Sequence, residues 1–347
     1  MTSPAAEHTT RAEKVELFLD LSVLRYSIDP RTAEWSDQEG HPHDSPERWA
    51  RAARLLAEDP SIARDSIHTA VVAHNVELVR EFLAADAASP TTSHAFDGWQ
   101  PLMRLAYTRL PGLNILSPSG QPAPTISMGS ALSTTTSTAS AGTYSSPALV
   151  IAKLLLEAGA DPSGGPLRGD AKGFTALTGV IGGGEADQPS HPHAEALARL
   201  LIQYGAEPLD GQALYNTSLV HRRPYRTGDD TASGGIDQAA GTRDDEVFWL
   251  NFLWEECKAR YMADRSGDTD KTMDTDGMED AGAHVRERWQ APVANGTLPA
   301  PPLEYLLRSA ISQHQPKRVE WLLEHSADAG TSITPSVGQT GTTNEDD

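Results

Sequence analysis

Apolar and polar positions recur along this chain with the period of a helix. In the stretch 194–204, Glu195, Arg199 and Gln203 fall four apart and form one polar stripe. Leu197, Leu200, Leu201 and Tyr204 face the other way. The stretch 147–158 carries the same stripe, Lys153 and Glu157, on a nearly all-apolar body. Such a helix must be covered on most sides by neighbours. In 75–85, Glu77, Arg80 and Glu81 face out while Val76, Val79, Phe82 and Leu83 face in. In 315–325, Val319, Leu322 and Leu323 are predicted buried, and Arg318, Glu320 and Glu324 solvated. An aromatic helix over 246–262 carries Phe248, Trp249, Phe252, Leu253 and Trp254. Each of these helices follows a shorter helical run: 66–74, 100–109, 175–181, 212–219 and 302–313. Two more helices, 14–26 and 45–58, precede them. Trp49, Ala52, Ala53, Leu55 and Leu56 of the second make an apolar face that caps the first pair.

The longer helices share an ending. One reads Leu154-Leu155-Leu156-Glu157-Ala158-Gly159-Ala160-Asp161-Pro162, and another Leu200-Leu201-Ile202-Gln203-Tyr204-Gly205-Ala206-Glu207-Pro208. Worn copies occur at Trp321-Leu322-Leu323-Glu324-His325-Ser326-Ala327-Asp328 and Glu81-Phe82-Leu83-Ala84-Ala85-Asp86. Gly159 and Gly205 sit just past a helix end, where a left-handed cap wants glycine. Two of the shorter helices follow a glycine turn, Asp97-Gly98-Trp99-Gln100-Pro101-Leu102 and Lys172-Gly173-Phe174-Thr175-Ala176-Leu177. The unit is therefore turn, short helix, loop, longer helix, Gly-Ala-Asp. Self-similarity of this kind is the sequence sign of a stacked-repeat architecture.

The unit resembles the ankyrin repeat, whose pattern is a glycine turn, a Thr-Pro-Leu-His-x-Ala helix and a Leu-Leu-x-x-Gly-Ala-Asp-x-Asn ending. The match departs from the family in two ways. Thr178 and Met103 stand where the family has its histidine, and Pro162 and Pro208 follow the acidic residue of the ending. The resemblance covers roughly 61–329 with gaps. It implies an all-α solenoid of helix-turn-helix repeats. Residues 1–60 are then an N-terminal helical cap, 61–330 about four irregular repeats, and 331–347 a polar, disordered tail.

The spacing between the two best endings exceeds the family period of about 33 residues. The excess lies between the first and second helix of a repeat, at 111–146, 182–193 and 221–245. The expected result is a ragged, partly disordered fringe along a single edge. A further segment, 263–285, is rich in Asp, Gly, Thr and Met and has almost no apolar anchor, so it too is expected to be disordered. The last repeat ends near 329 with no helix after it. Leu303, Leu306, Leu307, Leu322 and Leu323 are therefore expected to leave an apolar flank open unless the tail or a partner covers it.

Composition narrows the partners. The net charge is −20, which repels nucleic acid and anionic lipid and suits basic proteins or peptides better. The aromatic content of 6% predicts a thin core. The single cysteine, Cys257, allows no internal disulfide and fits a reducing compartment. The polar stretch 1–10 does not read as a secretory signal, and no apolar run is long enough to span a bilayer. The expectation is a soluble cytoplasmic protein with no membrane contact, the nucleus remaining open.

No chemistry emerges. Thr272-Met273-Asp274-Thr275-Asp276-Gly277 resembles the start of a calcium loop, but Thr272 replaces the first carboxylate and Ala283 the twelfth. His41-Pro42-His43 and His191-Pro192-His193 lack the further ligands that zinc requires, and read as turns before helices. Gly182-Gly183-Gly184 has no Lys-Ser/Thr after it and makes no phosphate loop. No metal, cofactor or catalytic residue is assigned. In an ankyrin-like stack the hairpin tips and first helices line the concave face. By that resemblance the candidate contact residues are Phe96, Trp99, Arg104, Tyr107, Arg109, Lys172, Phe174, Tyr215 and Asn216, aromatic and arginine anchors prominent among them. For Trp99 packing between repeats is the stronger reading, and for Tyr107 packing and presentation both stand. The function expected is non-enzymatic protein binding. The alternative is a regulatory or inhibitory subunit whose acidic surface masks a basic partner.

Overall fold

Thirteen α-helices and two short 3-10 turns carry the described residues of the computed structural model, which are 10–25, 44–95, 97–110, 146–165, 173–184, 188–219, 247–266, 275–293 and 298–326. Among these residues no strand occurs, only two isolated β-bridges. Helices α1 (Arg11–Leu21) and α2 (Pro46–Glu58) pack on each other at the N-terminal end. They are followed by α3 (Ile67–Val72) with α4 (Val76–Ala85), α5 (Pro101–Tyr107) with α6 (Pro147–Glu157), and α7 (Ala176–Ile181) with α8 (Ala194–Gln203). Then come α9 (Gly211–Ser218) with α10 (Phe248–Ser266), α11 (Thr275–Trp289), and α12 (Pro302–Ser312) with α13 (Pro316–Ser326).

Two rows result. The short helices α3, α5, α7, α9 and α12 touch in sequence, each packed on the next. Behind them α4 packs on α6, and α6 on α8. The short helices begin where local chemistry satisfies orphan N–H groups. Ser66 and Thr175 make capping boxes with Thr69 and Thr178, and the Asp210 side chain accepts from the Ala213 amide. Pro101, Pro147 and Pro302 occupy first turns, where a missing N–H costs nothing. Gly159 and Gly205 take φ of 95° and 110°, as their place in the repeated phrase requires.

Successive members of the short-helix row are locked to one another by buried side chains. The Tyr107 hydroxyl donates to the Thr175 carbonyl at 2.9 Å, and the Thr175 hydroxyl donates to Asp210 at 2.7 Å. The Tyr107 ring packs directly on Gly179, where an added Cβ would meet ring carbons at 2.1 Å. Gly179→Ala is therefore expected to destabilise the protein by about 2 kcal/mol despite the better helix propensity of alanine. Urea unfolding checks it, and an unchanged midpoint would contradict the packing.

Several expectations are corrected. The acidic segment 263–285 is helical over most of its described length, in the last turns of α10 and in α11. Its anchors are Ala281, Val285 and Trp289, all buried and four apart, a stripe hidden by the acidic residues around it. The loop 182–193 is likewise built in at both ends. The Gly183 amide donates to the Gln188 carbonyl, and the His191 amide to the Val180 carbonyl. The segments 111–145, 220–246 and 327–347 lie outside the described residues.

The flank of the last hairpin is largely covered. Leu303, Leu306 and Leu322 are buried, while Leu323 is 44% and Ile311 58% exposed. Leu303 and Leu306 lie on α12, which packs on α9. Trp321 joins an indole cluster with Trp254 and Trp289, at ring separations of 5.8 and 6.3 Å. Arg286 and Gln290 donate to the carbonyls of His325 and Ser326. Helix α11 and the turn after it thus cover part of the last hairpin. Drawing Trp321 inward also rotates α13, so that Arg318, predicted solvated, is buried and Leu323 is not.

Candidate functional site

Helix α5 is buried at every one of its seven residues. A first helix in a row has neighbours on both flanks and a second helix behind, which leaves one face over. Here the chain's own N-terminal segment fills that face. Beyond α1, Val23 forms an antiparallel bridge with Thr108. The Leu24 amide donates to the Tyr107 carbonyl at 2.9 Å, and the Arg109 amide donates to the Ser22 carbonyl at 3.0 Å. At the other end of α5, the Arg25 guanidinium lies 3.5 Å from the Asp97 carboxylate and 5.2 Å from the centre of the Trp99 ring.

This cover decides the fate of the predicted contact residues. Arg104 has no exposure, and its terminal nitrogen donates to both Asp97 oxygens at 2.8 and 2.9 Å. Burial pulls its pKa down to about 10 against the opposing pull of Asp97, so it stays charged at neutral pH. Trp99 is buried, edge-on to Tyr107 at 5.0 Å and flanked by the guanidinium groups of Arg25 and Arg104. Tyr107 is buried as well, which settles its two readings in favour of packing. Arg109 donates to the carbonyls of Ala106, Thr108, Gly179 and Pro189, riveting α5 to the next hairpin. Asn216 is buried and donates to the Gly182 carbonyl at 3.1 Å. None of these five is presented to a partner. Phe174 and Tyr215 are half-buried, and Tyr215 stacks on Tyr305 of α12 with ring centres 5.8 Å apart. Phe96 and Lys172 lie outside the described residues.

Sequence reasoning missed the charged groups beneath the N-terminal segment. Asp20 pairs with Arg25 at 2.5 Å and with Arg48 at 2.8 Å, and Asp97 pairs with Arg104. Asp44 accepts from the Arg25 amide with both oxygens and from Gln188 of the third hairpin at 2.7 Å. Burial pushes its carboxyl up to about 6, although the nearby arginines oppose the shift. The only sequence signal was a preponderance of arginine among apolar neighbours at 25, 48, 104 and 109.

Histidines cluster close by. His74, with φ of 51° in the first hairpin turn, is 6.5 Å in ring separation from His191, which is 5.9 Å from His193. His191 is buried, and its Nδ1 accepts from the His193 amide at 3.0 Å, so the His-Pro-His turn closes on itself before α8. That bond puts the proton of a neutral His191 on Nε2, which turns a donor rather than a lone pair toward any ion. Among the described residues no group of three or more His, Cys, Asp or Glu side chains is arranged to hold a metal ion. Burial pushes the Cys257 thiol up to about 12, which keeps it protonated. No described helix is long and apolar enough to cross a membrane. Compared with known proteins, the chain matches no family model, no curated protein and no solved structure.

Proposed function

We propose that the chain is a non-enzymatic protein–protein interaction scaffold built on an ankyrin-like stack of helical hairpins. The observation that carries this reading is the row of short helices, each packed on the next from α3 to α12, with longer helices behind. A row of that kind offers an extended preformed surface, and a preformed surface avoids the ordering cost that a flexible binder suffers. Over the first hairpins the N-terminal segment occupies that surface. The partner's place is therefore the stretch where α9 and α12 meet, with the stacked Tyr215 and Tyr305 as anchors. Large rings with a polar edge suit that role. The same reading places the protein in the cytoplasm and away from nucleic acid and membrane.

The test is affinity capture with wild-type protein and the Tyr215→Ala/Tyr305→Ala double variant, each first shown to be folded by circular dichroism. The wild type is expected to retain a protein that the variant loses by tenfold or more. Equal retention by both would remove these rings from the proposal.

The net charge of −20 favours a second reading, a regulatory subunit that masks a basic surface on its partner. Binding of the captured partner at low and high salt separates the two. A masking interaction weakens steeply as salt rises, whereas one led by aromatic anchors does not.

A further inference from the structure

We propose that the edge formed by Asp97, Trp99, Tyr107 and Thr108 is a receptor for a short extended segment of the pattern apolar–apolar–arginine. Val23-Leu24-Arg25 occupies it in cis, and a partner chain of the same pattern binds by displacing it. This deepens the scaffold reading, on which it rests.

Three features of the contact point to a ligand-like mode. The pairing is between main chains: Val23 bridges Thr108, Leu24 donates to the Tyr107 carbonyl, and Ser22 accepts from the Arg109 amide. Peptides that add a strand to an exposed edge are recognised this way, with affinity from the main chain and specificity from side-chain sites. The side-chain site here is the carboxylate of Asp97 beside the face of Trp99, which together take a guanidinium by charge and by cation–π attraction. The occupant also lies outside any regular helix, although Val23 and Leu24 are fully buried. Helix α1 ends at Leu21, so residues 22–25 can leave without unwinding it. Part of the charged network survives: Asp20 keeps Arg48, Asp97 keeps Arg104 and Asp44 keeps Gln188, while Asp44 gives up the Arg25 amide.

Departure of the segment creates the demand that a partner fills. The Tyr107 carbonyl and the Arg109 amide each lose the hydrogen bond that the segment supplies at the end of α5. A partner segment with two apolar residues and an arginine restores both hydrogen bonds and the contact with Trp99. Its positive charge agrees with the acidity of the whole chain.

The experiment uses the full chain with Leu24→Asp, which places a charge where Leu24 is fully buried. The probe is a fluorescein-labelled peptide of residues Asp20 to Tyr26, followed by anisotropy. The expected result is at least tenfold tighter binding to the variant than to wild type, lost when the peptide carries Arg25→Ala. A folded variant that does not bind, or that binds both peptides equally, overturns the proposal. Amide exchange of the wild-type protein decides the matter if the variant does not fold. The Leu24 and Arg109 amides are expected to exchange at least a hundredfold faster than those of Leu105 and Ala106. Exchange of all four together would show that the segment opens only with the core, and the proposal fails. Neither failure touches Tyr215 or Tyr305, so the scaffold reading stands or falls separately.

Discussion

Arg104→Ala is expected to lower the stability of the protein by about 3–5 kcal/mol, the range for removing one partner of a buried ion pair. The guanidinium is fully buried, and one of its nitrogens donates to both oxygens of Asp97, whose side chain is 9% exposed. Without it the carboxylate keeps Arg25 at 3.5 Å but loses its two short hydrogen bonds. The truncation also opens a void beside Trp99. Single domains have a total stability of about 5–15 kcal/mol, so much of the variant would be unfolded on warming. Arg104→Lys keeps the charge and a donor for Asp97 but not the second nitrogen, which reaches the Leu19 carbonyl, and should fall between wild type and Arg104→Ala. Urea unfolding followed by circular dichroism reads the effect. A loss under about 1 kcal/mol for the alanine variant would mean that the pair is hydrated and the face over α5 is open.

Acidification from pH 7 to pH 5 is expected to destabilise the protein more than any single substitution on its surface. His68 and His191 are buried and His74 is half-buried, and desolvation pushes their pKa values down, to about 2 for His68 and about 4 for His74. A histidine lowered in the folded state takes up its proton in the unfolded chain first. Its contribution is intact above about pH 6.5 and is lost as pH falls toward the folded value. Asp44 works in the opposite direction. Its carboxyl is raised to about 6, so the folded state takes up that proton first and gains stability between pH 6 and 4. Three histidines against one carboxylate leave the unfolded chain with the larger proton uptake near pH 5, so stability falls as the pH drops. Half-buried His94, His193 and His325 shift the same way, with solvent screening reducing their share. His74→Asn keeps a residue that tolerates positive φ and should flatten the slope by on the order of 1 kcal/mol per pH unit. Unfolding midpoints at pH 7 and pH 5 for both proteins give the answer, and parallel curves would exclude His74 as a source.

Helix phase was legible because it is local. The stripes read from the sequence reappear as exposed ion pairs one turn apart, Lys153 with Glu157 and Glu195 with Arg199. The repeated Gly-Ala-Asp/Glu phrase placed the ends of α6 and α8, since a left-handed cap needs only the residues beside it. Pairing of short with longer helices followed from the order of these signals. Where the phase failed, in α13, the cause was distant: Trp254 and Trp289 pull Trp321 inward and rotate the helix. The acidic 263–285 segment misled for a related reason. Its few apolar residues mean little until Trp289 has a place between two other indoles.

The contact face was not legible at all. Arg104, Tyr107, Arg109 and Asn216 carry the residue types of an exposed binding surface, and nothing in their neighbourhood along the chain says otherwise. Their burial comes from afar: Leu19, Ser22 and Leu24 lie over α5, Thr175 meets the Tyr107 hydroxyl, and Gly182 meets Asn216. Periodicity, caps and the recurring phrase set each helix and its partner, because each depends on residues within a few turns. Which face of the row stays open depends on where a remote segment comes to rest. That outcome is settled by the burial of Val23 and Leu24 and by hydrogen bonds that exist only once the helices are stacked.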